Sequence, residues 1–428
     1  RWGAQGVELG ADGRFVYGPG PGDTPVTKWE VATGRAVTRY EFSPAAARRG
    51  SALGFRLSPD GRTLDAVSGP HSSDEPTLRV RWDAESGARL TEEPMARAGL
   101  ELPVLSPDGR WAATDAALYP VGAGPTGNRL PAGRGGSFFP GTFTADSRLI
   151  ARTAPERDAP GERWRVAIFE VTTGAEVVGF PLGAWWSRLA FHPDGRSLAV
   201  AGDQGLAFYD LATGKPFAER KAGGNVRVVR YFPDGTRLVT GHEDTTALVW
   251  ESPALPKTAR QLDDPGRAAA WDALIAEDGA KAWAAVWALA DDPGAAGFLR
   301  TKVRPVEPLP ATEFARLLAG LGAADFATRE GAERALRDAG ERAAGQVRAA
   351  LTVVPSAEQR ARLGRLVGAL PGPDARPTGE RLRAIRAVAA LELAGSADAR
   401  RLLAELAAGA ADATLTREAA SSVARVGR

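Results

Sequence analysis

Apolar and polar residues alternate in short runs through the first half of the chain, and residues 186–215 show the pattern most clearly. Two runs flank a turn over His192–Gly195 and a third run follows, with apolar positions at Leu189, Phe191, Leu198, Val200, Leu206, Phe208 and Tyr209. A period of two is typical of half-buried β-strands. In the turn, proline presets φ, aspartate bonds its own backbone and glycine accepts a positive φ. The segment therefore predicts three short strands around a tight turn.

Turns of this kind occur six times along the chain, with serine in place of glycine in one of them. Their aspartates are Asp12, Asp60, Asp108, Asp146, Asp194 and Asp234, at intervals of 48, 48, 38, 48 and 40 residues. A second signal follows most of these turns, namely a strand that ends in an aromatic residue followed directly by an acidic one. The aromatic residues of these aromatic-acid pairs are Trp29, Trp82, Phe169, Tyr209 and Trp250. Repeats of roughly 40–45 residues are typical of propellers in which four strands make one blade.

These repeats resemble the WD40 family over about residues 6–252. In that family an apolar strand precedes a Ser-Pro-Asp-Gly turn, and a later strand ends in Trp-Asp. The resemblance implies a WD40-like β-propeller with six recognisable blades. Gly241-His242 is predicted to lie in the turn before the Trp250 strand rather than before an inner strand. We therefore expect the blades to depend on packing more than on the family's buried Asp-His-Ser-Trp hydrogen-bond network. Blade 3 is the weakest, because the segment from Leu118 lacks the aromatic-acid pair.

The resemblance also implies how the last blade closes, since WD40 propellers take that blade's outer strand from residues upstream of the first inner strand. Here Gly6–Leu9 is predicted as the first inner strand, and Pro253 and Pro256 follow the third strand of the last blade. We therefore expect an uncapped sheet edge there. We also expect the propeller to be truncated at the N-terminus, with at least one further strand before Arg1 in the natural protein.

The hydrophobic period becomes helical after a proline-rich segment. The predicted domains are a propeller over residues 1–252, a linker over 253–266 and an α-helical domain over 267–428. Asp264 before Pro265 marks a helix start, and Ser356 with Gln359 forms a capping box. Further helices are predicted near 312–320, 325–339, 341–352, 357–370, 380–394, 398–408 and 415–426. The fold class is thus a multidomain β + α protein.

The helical segments around residues 326–336 and 381–406 resemble HEAT-type helices. The order of propeller and helices resembles WD40 repeat proteins of planctomycete-type bacteria over nearly the whole chain. That resemblance implies an architecture, because members of the group mostly lack an assigned activity.

Several local patterns suggest chemistry that their surroundings do not support. Gly122–Gly127 matches a dinucleotide-binding pattern, but Pro131 follows where a helix is required. His192 stands where other turns have serine, so we interpret it as a solvated turn residue, and His71 and His242 are predicted in loops. With three histidines, no cysteine and no catalytic motif, we assign no catalytic, cofactor-binding or metal-ligating residue, and we expect no cofactor.

Tryptophans and arginines could also form binding surfaces. The repeated Trp29, Trp82 and Trp250 are interpreted as packing between blades, and Trp250 is expected to be mostly buried. One residue of the Trp185-Trp186 pair is expected to be partly exposed, because adjacent strand residues point to opposite faces. Three further tryptophans at helical spacing are interpreted as the core of the first helices or as the surface that docks these helices on the propeller. They are Trp271, Trp283 and Trp287. The arginines of residues 376–386 are interpreted as a solvated face, because no aromatic residue interleaves them.

These observations favour a non-catalytic protein-interaction or scaffolding module. A protein partner is expected, whereas the net charge of +2 does not favour nucleic acid and no apolar run is long enough to cross a membrane. One alternative is a propeller enzyme, hydrolytic or metal-dependent, which histidines and carboxylates converging at the channel mouth would favour. Another is the sensor half of a larger signalling protein. The sequence leaves the compartment open, because the chain starts at Arg1 rather than Met.

Overall fold

The chain forms two compact units in the computed structural model. One comprises Arg1–Pro256 with Asp278–Ala280, and the other comprises Lys257–Glu277 with Lys281–Arg428. The described residues are 8–10, 12–19, 26–44, 52–58, 60–68, 77–95, 104–114, 117–121, 141–156, 163–182, 187–203, 205–244, 246–256, 261–353, 356–370 and 377–426.

The described strands of the first unit form six antiparallel sheets, one for each predicted blade. Blade 1 contains β1 (Glu8–Leu9), β2 (Phe15–Pro19), β3 (Val26–Glu30) and β4 (Ala36–Tyr40), and blade 2 contains β5 (Ala52–Leu57), β6 (Thr63–Ser68), β7 (Thr77–Asp83) and β8 (Arg89–Met95). Blade 3 contains β9 (Val104–Leu105), β10 (Trp111–Ala113) and β11 (Leu118–Pro120). Blade 4 contains β12 (Thr142–Phe143), β13 (Leu149–Pro155), β14 (Trp164–Glu170) and β15 (Glu176–Leu182). Blade 5 contains β16 (Arg188–Phe191), β17 (Ser197–Gly202), β18 (Gly205–Asp210) and β19 (Lys215–Arg220), and blade 6 contains β20 (Val226–Tyr231), β21 (Arg237–His242) and β22 (Ala247–Glu251).

In every sheet the strands lie side by side in chain order. The first strands of successive blades contact each other, as β1 does with β5 and β16 with β20. This arrangement is a six-bladed β-propeller, and it confirms the predicted fold class of a propeller followed by helices.

The recurrent aspartate turns have one geometry. In each turn the residue after the aspartate donates its backbone N–H to the carbonyl three residues earlier, as Gly195 does to His192 at 2.9 Å. The aspartate side chain accepts from the backbone two residues on, as Asp194 does from Arg196 at 2.8 Å. Gly195 has a φ of 70°, which favours glycine, and the other turn glycines from Gly13 to Gly235 are similar. The turn chemistry predicted from sequence is therefore confirmed.

The predicted tryptophan packing holds for Trp82 and is weaker elsewhere. Trp82 is fully buried between blades 1 and 2, where its ring lies 6.0 Å from that of Tyr40 and its Nε1 donates to the Glu41 carbonyl at 3.2 Å. The Tyr40 hydroxyl donates to the Ala84 carbonyl at 2.6 Å, which joins the same two blades. Trp29 and Trp250 are partly buried. Trp250 packs against the apolar cluster that blades 5 and 6 share, which is consistent with the expectation that it is mostly buried.

Ten helices are found in the described residues after the propeller. They are α1 (Asp264–Ala273), α2 (Gly279–Asp291), α3 (Ala295–Lys302), α4 (Ala311–Gly320), α5 (Phe326–Ala339), α6 (Ala344–Thr352), α7 (Ala357–Ala369), α8 (Gly379–Ala394), α9 (Ala397–Ala407) and α10 (Thr414–Val426). The Ser356–Gln359 capping box is present, and Asp263 caps α1, whose second residue is Pro265. Gly395 ends α8 in the left-handed conformation, as the predicted break between α8 and α9 requires.

Paired charges are buried between these helices. Arg267 contacts both carboxylate oxygens of Asp292, through Nε at 2.6 Å and Nη2 at 3.1 Å. Arg362 on α7 bonds Glu333 on α5 at 2.5 Å, and both side chains are buried. Such pairs hold helices in one register, because a buried charge without its partner is strongly destabilising. Among the described residues, no helix has the length and apolar character needed to cross a membrane.

Candidate interaction surface

His242 lies in a different place from the predicted loop. It ends strand β21 and is buried, with its Nε2 2.8 Å from the Thr240 hydroxyl. The same hydroxyl accepts from the indole Nε1 of Trp250 at 2.8 Å. Blade 6 therefore contains a Trp–Thr–His hydrogen-bond chain that spans β21 and β22, and the prediction that blades depend on packing without such a network is wrong for this blade.

His192 is also more than a solvated turn residue. Its Nε2 lies 3.0 Å from the Gly235 carbonyl, and its ring meets that of Tyr231 edge-on at 5.0 Å. Its Nδ1 lies 2.8 Å from the Asp194 carboxylate. Burial alone would lower the pKa of His192, but the hydrogen bond and charge of Asp194, with the Gly235 carbonyl, raise it. The ring thus connects the turn of blade 5 to the turn of blade 6.

The close approach explains why glycine occupies position 235. A Cβ on Gly235 would lie 2.7 Å from Nε2 of His192, and its φ of 68° disfavours other residues. The contact therefore requires both the histidine and the glycine.

The arginines of residues 376–386 are not a solvated face. Arg386 is buried and its Nη1 donates to the carbonyls of Leu274 at 2.7 Å and Ala276 at 2.8 Å, just beyond α1. Arg383 lies over the Trp271 ring at 5.1 Å, and Arg381 pairs with Glu341 at 3.0 Å. The interpretation as a solvated face is wrong, because these three guanidinium groups contact partners within the helical unit. Arg376 lies outside the described residues.

The remaining candidates are placed as follows. Trp283 and Trp287 are buried with ring centroids 5.6 Å apart, as expected for core residues of the first helices. His71, Trp185-Trp186 and Gly122–Gly127 lie outside the described residues. In the part of the chain that the structure describes, His, Asp and Glu side chains do not gather in threes as a metal site requires.

The surface that stands out is strand β22, which we name the blade 6 edge (Ala247–Glu251). Among the described strands, β22 pairs with β21 alone. Leu248 and Val249 are 40% and 59% exposed, and because they are adjacent they point to opposite faces of the strand. Apolar residues and open backbone groups therefore coincide on one edge.

The exposure of β22 is unusual for its position in a blade. The corresponding third strands are largely buried in the other blades, as β3, β14 and β18 show. Sequence reasoning predicted the open edge from Pro253 and Pro256 but not the exposed pair. The signal was present in the sequence, since Leu248 and Val249 are as apolar as residues buried in other blades.

The repeat that ends in the blade 6 edge is similar to a known family. Residues 215–251, which run from β19 to β22, match the family described as WD domain, G-beta repeat. Among solved structures, the chain is similar to the β-propeller domain of Cps50 (Swd1) from Myceliophteria thermophila, with 14% sequence identity and a TM-score of 0.41 over 58% of this chain and 83% of that one. No curated protein matches the sequence.

Proposed function

We propose that this protein is a non-catalytic protein-interaction module and that the blade 6 edge is a contact surface for a protein partner. The observation that carries the proposal is the exposure of Leu248 and Val249 on a third strand whose counterparts are buried. An exposed apolar patch on a strand edge is a suitable contact surface for a protein partner and needs no reactive centre.

Strand addition is the recognition mode that fits this edge. A partner segment in extended conformation would pair its backbone with the outer edge of β22, and its alternate side chains would cover Leu248 or Val249. The bond from Trp250 to Thr240 holds β22 from its inner side. The edge is therefore ordered before the partner arrives, which lowers the entropic cost of binding.

Photo-crosslinking tests this proposal. A photoreactive amino acid would replace Val249 in the full chain in its own cells, and crosslinked proteins would be identified by mass spectrometry. The matched control replaces Val37, which is 53% exposed on β4, the outer strand of blade 1. We expect a discrete adduct from position 249 that position 37 does not give, and loss of that adduct in the Leu248→Lys variant. Equal labelling from both positions would contradict the proposal.

We further propose that the helical unit acts as a second, HEAT-like surface, with the domain limits predicted from sequence. The antiparallel α8–α9 pair, with its break at Gly395, resembles one unit of a helical solenoid. Two surfaces on one chain would suit a scaffold. Crosslinking from exposed Phe326 on α5 should then yield a different partner from crosslinking at Val249. An identical set of adducts from both positions would mean that the units share one interface.

A further inference from the structure

The backbone of the blade 6 edge points alternately toward β21 and away from it. In an antiparallel pair of strands, hydrogen-bonded residue pairs alternate with pairs that do not bond each other. At one end of the strand, the His242 N–H donates to the Thr246 carbonyl at 2.9 Å. At the other end, the Ser252 N–H donates to the Thr236 carbonyl at 2.8 Å, and the register between the two ends is continuous. Every second residue from Thr246 to Ser252 therefore bonds β21.

The residues between these positions present their backbone groups to the open side of the strand. They are Ala247, Val249 and Glu251, whose N–H and C=O groups point away from β21. All three side chains are exposed as well. Pro253 is the next residue in the same phase, and it has no N–H to donate. The open ladder therefore coincides with the five residues of β22.

Acidic groups lie at both ends of the blade 6 edge. Glu251 is exposed, and Arg237, which lies opposite it on β21, has its guanidinium group over the Phe232 ring at 4.6 Å. Asp244, in the turn before β22, is also exposed, and hydrogen bonds from Thr246 hold the pKa of its carboxyl below the ordinary value. The exposed apolar pair of β22 thus lies between two negative charges.

An added strand would place one side chain opposite each position of the edge. Both described strand pairs of blade 6 are antiparallel. A strand that continues this pattern has its N-terminal end opposite Glu251 and its C-terminal end nearest to Asp244. Opposite charges and β-branched pairs on facing residues stabilise strand pairing. A lysine or arginine opposite Glu251, with a valine or isoleucine opposite Val249, therefore matches the edge.

We propose that the blade 6 edge binds an extended, basic segment of another protein, in which a lysine or arginine precedes a β-branched residue by two positions. This inference rests on the proposed function and adds the register, the direction and the charge of the partner segment. A second copy of the chain matches less well. Pairing of β22 with itself about Val249 would bring Ala247, rather than a basic residue, opposite Glu251.

A labelled peptide tests the register. The probe is fluorescein-Gly-Lys-Thr-Ile-Leu-Thr-Gly-amide, and its binding to the full chain is followed by fluorescence anisotropy. We expect N-methylation of the isoleucine to weaken binding about tenfold or more, because this N–H donates to the Val249 carbonyl. N-methylation of the following leucine should weaken binding much less, because that N–H points away from β22. Equal losses from both peptides, or no saturable binding of the probe, would overturn the proposal.

A charge exchange tests the contact with Glu251. We expect Glu251→Lys to weaken binding of the probe about fivefold, and a probe with glutamate in place of lysine should restore the affinity of this variant. The matched control is Glu219→Lys, an exposed position on the outer strand of blade 5, which should leave the affinity unchanged. The proposal is overturned if the glutamate probe does not restore binding, or if Glu219→Lys weakens binding as much.

Crosslinking in cells separates this inference from the proposed function. With the photoreactive amino acid at position 249, Glu251→Lys should lose most of the adduct and Glu219→Lys should retain it. An undiminished adduct in Glu251→Lys would overturn the inference and leave the proposed contact surface standing, whereas the absence of any adduct in the unaltered chain would contradict the proposed function itself. A dimer in analytical ultracentrifugation that Leu248→Lys dissociates would also overturn the inference, because a second copy would then occupy the edge.

Discussion

At the scale of single residues, Ser147 occupies the turn position that is glycine in the other five aspartate turns. It is the only described non-glycine residue with a positive φ, at 64°. Its hydroxyl accepts from the backbone N–H of Asp108 at 3.1 Å, which connects the turns of blades 3 and 4. A strained backbone and a hydrogen bond between blades therefore occur together.

We expect Ser147→Ala to destabilise the protein by about 1–2 kcal/mol, because the strain stays and the hydrogen bond is lost. Ser147→Gly should be close to neutral, since relief of the strain offsets the lost bond. Urea unfolding of both variants measures the difference. If alanine were tolerated as well as glycine, the contact with Asp108 would contribute nothing.

At the scale of elements, Arg386 on α8 holds the end of α1. Two carbonyls beyond α1 depend on its buried guanidinium group. Arg386→Met preserves the length of the side chain and removes the donors, so we expect a loss of about 2–4 kcal/mol in the free energy of unfolding. Arg401 provides the control, because its ion pair with Asp398 is exposed and Arg401→Met should cost little. Denaturant unfolding followed by circular dichroism compares the two, and equal midpoints would contradict a capping role.

The turns of blades 5 and 6 form a second pair of connected elements. The folded chain holds the His192 proton more tightly than the unfolded chain does, because the pKa of His192 is raised. The contact with Asp194 and Gly235 therefore contributes its full stability below the ordinary pKa of about 6.5 and loses it as the pH rises through the raised value.

We expect the melting temperature to fall across that pH range in the unaltered chain and to fall less in His192→Ser. Serine is the matched replacement because Ser58 and Ser106 occupy the same turn position and bond their aspartates at 2.6 Å and 2.5 Å. Melting curves at closely spaced pH values measure the effect. A variant that retained the full pH dependence would show that another group causes it.

At the scale of the whole molecule, the sequence predicts that the propeller and the helices are separate domains joined by residues 253–266. Trypsin should therefore cut first at Lys257 or Arg260, which lie in this segment. Mass spectrometry of a digestion time course identifies the first cut, and calorimetry should resolve two transitions. The variant with Lys257→Gln and Arg260→Gln should resist the first cleavage. Early cuts scattered through both units would contradict the prediction.

The sequence alone determined most of the local structure. Period-two alternation and the Asp-Gly turns located the blades, because turn geometry depends on residues close together in the chain. The helices after residue 310 were predicted within a few residues of α4–α10, since helical periodicity and caps are also local signals. The capping box at Ser356 shows this most directly, because both partners lie within one turn.

Tertiary structure decided what the charged and aromatic residues do. Arg386 and His192 looked solvated because their partners lie 112 and 43 residues away in the chain. His242 joined a network because β21 and β22 place Thr240 beside Trp250. Strand and turn signals are local, whereas burial, charge pairing and convergence depend on which distant segments pack together.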